Sequence, residues 1–388
     1  MATPIDSRRG RIALMVGHCA GMVDLVALPI WIGALVAHYR FDPQQAGALA
    51  TLFLLGVVLA SVALAPLFHR SAGRAIASAG FALAALAFGL AATRADFATL
   101  AGLHALAGVA TGAALSVTHG SIARSAHPHR LFAWAGAALG VFAVVFVAGT
   151  PQYIAAKGGA AIFIVFAAVM AVAALVSFFA FPSVRLSAVQ HAPAPAAAAA
   201  PISRAVWFGI AGIACMTVVQ AMTFSFLERA GIDRGFERSS INAVLIALGI
   251  VNLFPAALAA LAERHLAARS VLLAGPPLQA MLAIGVTGST ALAPYAVSAS
   301  LFAAVIIFTH TFAFGLLARL EPSGRALAAT PAMMMAGSAV GPLLGGTLVK
   351  SFGYGSLGIA AALLAAAAVF CFSRLPSAAA HSPREATA

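Results

Sequence analysis

Asp24 stands in the middle of a long apolar run, within the stretch Gly17-His18-Cys19-Ala20-Gly21-Met22-Val23-Asp24-Leu25-Val26-Ala27-Leu28-Pro29. A carboxylate in hydrocarbon costs several kcal/mol unless it faces a wet cavity or a partner, so an acid kept there is a candidate functional group. Its chemistry is to take up and release a proton, or to pair with a cation. On a continuous helix Gly17, Gly21 and Leu28 share its face, and the two glycines let a neighbouring helix or a ligand come close. Pro29, just over one turn later, frees a main-chain carbonyl and can bend the run. A second apolar run carries His104, Thr111, Thr118 and His119, which fall at helical spacing on one polar stripe. Histidine changes charge near neutral pH, so such a stripe is suited to holding or relaying protons. His18 lies about 120° around a helix from Asp24 and can border the same space.

These residues need elements that hold them inside a membrane. The chain has 388 residues, 62% hydrophobic and 8% charged, with mean hydropathy +1.01. A soluble domain carries about 25% charged residues, and a chain this poor in charge cannot cover a water-facing surface. The net charge of +12 is spread singly and in pairs along the chain. That is the pattern of loops between spans, and no nucleic-acid partner is expected.

Apolar runs of about 20 residues predict an all-α polytopic membrane protein with twelve transmembrane helices. Their limits are 12–37, 45–68, 75–93, 97–122, 132–151 and 160–181, then 205–227, 240–262, 270–289, 293–318, 326–349 and 354–373. Arg8, Arg9 and Arg11 precede a first run too long for a cleaved signal segment, so it reads as an uncleaved span. Fifteen of the 22 Lys and Arg fall on the side of the N-terminus and the remaining seven on the other. This bias places both termini in the cytoplasm. The Ala/Pro-rich stretch 184–203 reads as a cytoplasmic linker between a bundle over 1–183 and another over 204–374, with 375–388 a cytoplasmic tail.

The two halves repeat. Arg124 and Arg130 match Arg319 and Arg325 at an offset of 195 (319 − 124), and His69-Arg70 with Arg74 match Glu263-Arg264 with Arg269 at nearly the same offset. Duplicated halves around a midplane site describe a known transporter architecture.

At this point the sequence resembles the major facilitator superfamily. Its loop between spans two and three usually reads Gly-x-x-x-Asp-Arg-x-Gly-Arg; here Ala65-Pro-Leu-Phe-His69-Arg70-Ser-Ala-Gly73-Arg74 is a degenerate form, while Glu263-Arg264 keeps an acid–base pair in the second half. Span four carries His104-x-x-x-Gly108-x-x-x-Gly112, with His104 where the family commonly has Arg. Gly337-Ser-Ala-Val-Gly341-Pro342-Leu-Leu-Gly345 looks like the family's glycine/proline-rich packing helix. The Asp24-x-x-x-Leu28-Pro29 ending is similar to the first span of many drug/proton antiporters in the family.

The resemblance implies two pseudo-symmetric six-helix bundles and a central cavity lined by spans one, four, seven and ten. Asp24 and His104 then form a proton-coupling pair, with His18, Thr111, His119, Gln220, Asn252 and His310 around the substrate. Arg70, Gly73, Arg74, Glu263, Arg264 and Arg269 become conformational latch loops.

Every Arg and Lys falls in a predicted loop or at a span end, so no fixed cation awaits an anionic substrate. Cys19, Cys215 and Cys371 are scattered in apolar sequence and form neither a disulfide framework nor a metal motif. A phosphate-binding G-x-x-x-x-G-K-[ST] loop is absent, and so is any nucleophile–His–acid cluster. The expectation is a secondary transporter of the bacterial inner membrane and not an enzyme, monomeric in the lipid bilayer and without metal or cofactor. It moves a small neutral, amphipathic or cationic organic molecule by proton-coupled efflux (antiport), the alternative being proton-coupled uptake of a small metabolite or metal chelate.

Overall fold

Long stretches of Ala, Leu, Val and Phe leave main-chain N–H and C=O groups no partner but one another, and helices are the answer. The computed structural model describes residues 5–64, 73–182, 202–321 and 330–376, and among them every regular element is a helix. Span one is Arg8–Gly21 followed by Asp24–His38. Spans two to six are Pro43–Leu64, Gly73–Ala91, Phe97–Ala123, Pro128–Lys157 and Ala161–Ala180. Span seven is Arg204–Ser225, followed by a short helix, Leu227–Asp233. Span eight is Arg238–Val251 and then Pro255–Ala262. Spans nine to twelve are Ala268–Gly288, Leu292–Leu320, Thr330–Phe352 and Gly355–Ser373. Eleven spans among the described residues are long and apolar enough to cross a membrane, and Thr330–Phe352, 23 residues long, stands where the eleventh was expected.

Several helix starts are written in the sequence. Ser7, Asp96 and Ser203 accept the N–H of Gly10, Thr99 and Val206, as capping residues do. At span two Asp42 accepts the Gln45 N–H (2.9 Å) while Gln45 Oε1 accepts the Asp42 N–H (3.2 Å), a reciprocal capping box.

The pattern of neighbours makes the repeat visible. In the first half span two packs on four, three on four and six, and one on five and six. In the second half eight packs on ten, nine on ten and twelve, and seven on eleven and twelve. Each pair maps onto its partner by adding six. Two larger contacts join the halves, span two with eleven and span five with eight, and these also exchange under the same operation.

We call the end that carries Arg8 the near end and the opposite one the far end. Arg74, at the near-end start of span three, donates from Nε and an Nη to the Phe181 carbonyl after span six (3.1 and 2.9 Å). Arg269, at the start of span nine, donates to the Ser373 carbonyl at the end of span twelve (3.1 Å). Both arginines thus sit on carbonyls at the negative pole of a helix C-terminus. The sequence offset between the halves has become one structural device made twice.

Two expectations change. Spans one and eight are broken, not continuous: span one at Met22–Val23 and span eight at Asn252–Phe254. Arg70, most of the stretch 184–203 and the tail from 377 lie outside the described residues.

Candidate functional site

Span one breaks where its charge sits. The Met22 N–H still reaches the His18 carbonyl (3.0 Å), but the bonds that follow tighten to three-residue spacing: Val23 to Ala20, Leu25 to Met22 and Val26 to Val23, at 3.1–3.3 Å. A new 15-residue helix then starts at Asp24. Its first turn is tied back to Met22 and Val23 by these short bonds, and the start of the helix carries the positive pole of its dipole. Asp24 is 2% exposed and its Oδ1 has no hydrogen-bond partner. It lies about midway along Arg8–His38. Broken helices at such depth are where transporters hold ions and substrates.

The glycines expected on the Asp24 face serve packing. A Cβ at Gly17 would meet Thr118 Oγ1 at 3.1 Å, and one at Gly21 would meet the Leu115 Cβ at 3.0 Å. Span four therefore fills that side. Because the break interrupts the helical phase, the face shared by Gly17 and Gly21 does not continue to Asp24.

The polar stripe of span four divides three ways. His119 Nε2 and His18 Nδ1 lie 2.9 Å apart, one ring donating to the other, so two candidates meet across spans one and four. Thr111 is fully buried and points its hydroxyl to the Met170 sulfur of span six (3.9 Å). His104, fully buried, donates from Nδ1 to the Leu100 carbonyl (2.6 Å) and stacks on Trp31 with ring centres 5.4 Å apart. Phe88 and Phe163 close the cluster at 6.0 and 5.3 Å. Trp31 is seven residues past Asp24, about 10 Å along the axis, so the expected pairing of His104 with Asp24 is not formed. We expect His104→Phe to change thermal stability by less than about 1.5 kcal/mol and to leave the pH profile of transport unmoved. His104→Ala should lose about 2–4 kcal/mol through the cavity it leaves. A shifted pH profile in the Phe variant would restore the relay.

In the second half, Gln220 on span seven accepts the amide of Gln279 on span nine (3.3 Å), which also donates to the Met216 carbonyl (3.2 Å). His310 on span ten rests on Phe314, ring centres 5.0 Å apart, with Nδ1 buried and without a partner. Asn252 caps the break in span eight, its Oδ1 likewise buried and without a partner. A buried polar atom with no partner costs about 1–3 kcal/mol. Asp24, Asn252 and His310 each hold such an atom, as do His104 at Nε2 and Trp31 at Nε1.

The motif residues take structural parts. Gly337, Gly341 and Gly345 lay span eleven on span seven, opposite Thr217, Ala221 and Met222, while the Pro342 carbonyl faces Gly47 of span two. Gly73 lies against the Phe181 ring, 3.3 Å from a Cβ placed there. Glu263 meets Arg319 at 3.8 Å, both exposed and both in the second half, and Arg264 is exposed. Two buried groups escaped the sequence reading. Gln279 gave only a polar letter beside Pro276-Pro277, and Glu228 resembled an ordinary charged flank at a span end.

The whole chain finds solved counterparts. It superposes on the nucleoside transporter NupG with TM-score 0.70 at 13% identity, covering 94% of this chain and 98% of that one. A D-xylose-proton symporter gives TM-score 0.70 at 15% identity, covering 95% and 98%. A bacterial homologue of the human lysosomal transporter Spinster, crystallised inward-facing and unoccupied, gives 0.65 at 14%, covering 95% of each. At these identities the likeness is one of fold. No curated protein sequence matches the chain. The profile of the Major Facilitator Superfamily matches residues 13–320; with its helices paired in two repeated sets, the chain belongs to that superfamily and is a membrane transporter, not an enzyme.

Proposed function

We propose that this transporter couples proton movement to export of a small neutral, amphipathic or cationic organic molecule, in the manner of the drug/proton antiporter branch. The observation that carries the reading is Asp24: buried, lacking a partner at Oδ1, and seated at a helix break near mid-membrane. A carboxyl there alternates between a proton and a cationic substrate group, so that occupancy by one excludes the other. Gln220, Asn252 and His310 supply polar contacts from the other half, and the His18–His119 pair, about 9 Å along span one from Asp24, offers a second place for a proton on the near side. The absence of Lys or Arg within the described spans near mid-depth supports a substrate without strong negative charge. Both termini face the cytoplasm of a bacterial cell in this reading, and the near-end arginines Arg74 and Arg269 steady the loops that move.

The test is flux in proteoliposomes under an imposed pH gradient, with cationic and neutral amphipathic probes. Substrate moving against the proton flow supports antiport. Substrate moving with it supports the uptake reading, for which the symporter fold-mate is a precedent. No response to the gradient overturns proton coupling.

A further inference from the structure

Glu228 is a second buried acid for which the transport reading has no use. Span seven ends at Ser225, and the short helix Leu227–Asp233 carries Glu228 against the second piece of span one. Its Oε2 is buried with no hydrogen-bond partner. Opposite it stands Gly33 of span one, where a Cβ would come within 2.8 Å of Oε2 and 3.2 Å of Cδ. Glycine alone leaves the carboxyl its place, and the contact crosses from one half to the other at the far end.

The surrounding groups do not neutralise it. Arg229, on its own helix, is paired with Asp233, and Arg238 opens span eight. From span ten the Tyr295 hydroxyl donates to the Leu227 carbonyl (2.9 Å). Arg234 is spent on the carbonyls of Val286 and Thr287 at the end of span nine. On span one, Gly33 faces it, and the residues flanking Gly33 in sequence, Ile32 and Ala34, are apolar and buried. Burial pushes the carboxyl from its ordinary 4.5 up to about 7, against the weaker pull of Arg238 and Arg229.

The geometry points to Glu228 as a proton-binding site of the far-end seam, protonated from far-side water as spans one and seven close on each other and deprotonated when they part. It rests on the alternating-access reading but needs no role for Asp24. The sign follows from which form is buried. Below the ordinary carboxyl pKa both states hold the proton and closing carries no penalty. As pH rises from there the open state ionises first and closing grows unfavourable, the penalty levelling off above about 7.

The experiment places nitroxide labels at Ala95→Cys and Thr290→Cys, exposed positions in far-end loops of the two halves, in a background with Cys19, Cys215 and Cys371 replaced by serine. Distances are measured in nanodiscs from pH 4 to 9. The short-distance population should fall as pH rises, the closed-to-open ratio dropping by up to roughly 300-fold. Glu228→Gln should stay closed-rich and insensitive to pH, while Glu228→Asp should keep a pH response with a moved midpoint. A wild-type response in Glu228→Gln overturns the proposal. So does a response lost in Asp24→Asn yet kept in Glu228→Gln, which would assign the proton to Asp24 and leave the transport reading standing. If Asp24→Asn transports normally while Glu228→Gln has lost its pH response, the converse holds: this site stands and the Asp24 reading falls.

Discussion

Asp24→Asn is expected to abolish gradient-driven accumulation while leaving the protein folded and able to exchange substrate down its gradient. Each pH unit is worth about 1.4 kcal/mol per proton, so a gradient of two units coupled one-for-one supports roughly a 100-fold substrate ratio. Asparagine keeps the shape and an acceptor oxygen but cannot ionise, and the ratio should collapse to one. Stability should hold or rise, because the amide removes an acid buried without a partner at Oδ1. Parallel measurement of flux and thermal unfolding separates the coupling defect from misfolding. A variant that still drives the full ratio would remove Asp24 from the coupling step.

Gly341→Val is expected to prevent assembly of the bundle. A Cβ at this position would lie 2.5 Å from the Ala221 Cβ and 2.7 Å from the Met222 nitrogen. Those atoms are main chain or rooted in it, so span seven must retreat bodily from span eleven. Overpacking a core with side-chain atoms costs about 1–3 kcal/mol, and displacing two helix backbones should exceed that. Span eleven also holds span two through Thr51, so the loss spreads across both halves. Gly89 is the control, with nothing within 4 Å of a Cβ; Gly89→Ala should be neutral or slightly stabilising. Folded yield in detergent and the unfolding midpoint read both. Equal behaviour of the two variants would contradict the packing described.

The sequence revealed the helices well because a membrane leaves few alternatives for a run of twenty apolar residues. The half-chain repeat was also readable, since Arg74 and Arg269 had to recur where each half ties its own helix ends. Other features needed three dimensions. Gly21 abuts the break in span one, but the same residue also reads as a packing glycine and so did not announce it, whereas Pro255 could have announced the one in span eight. The stripe from His104 to His119 was correctly spaced, but spacing could not say that His104 bonds Leu100 and not Asp24. A helix surrounded by protein meets several neighbours at once: His104 meets spans one, three and six, Thr111 span six, and His119 spans one and five. Glu228 was hidden by position: charge at the end of a span usually meets water, and only the turn at Phe226 brings it inward.

Arg74 and Arg269 bind helices of their own half, whereas polar ties between spans two and eleven join one half to the other. Thr51 donates to the Ala339 carbonyl (2.7 Å) and accepts the Leu343 N–H (3.1 Å), and Lys350 meets Asp42 at 2.9 Å with both side chains partly exposed. Two ordinary hydrogen bonds contribute about 1 kcal/mol each and an exposed ion pair no more than about 1. Together that is close to the roughly 2.7 kcal/mol one proton delivers across two pH units. In the proton-coupled cycle proposed above, polar ties of this size between the halves are ones that the stroke of a single proton can break and remake.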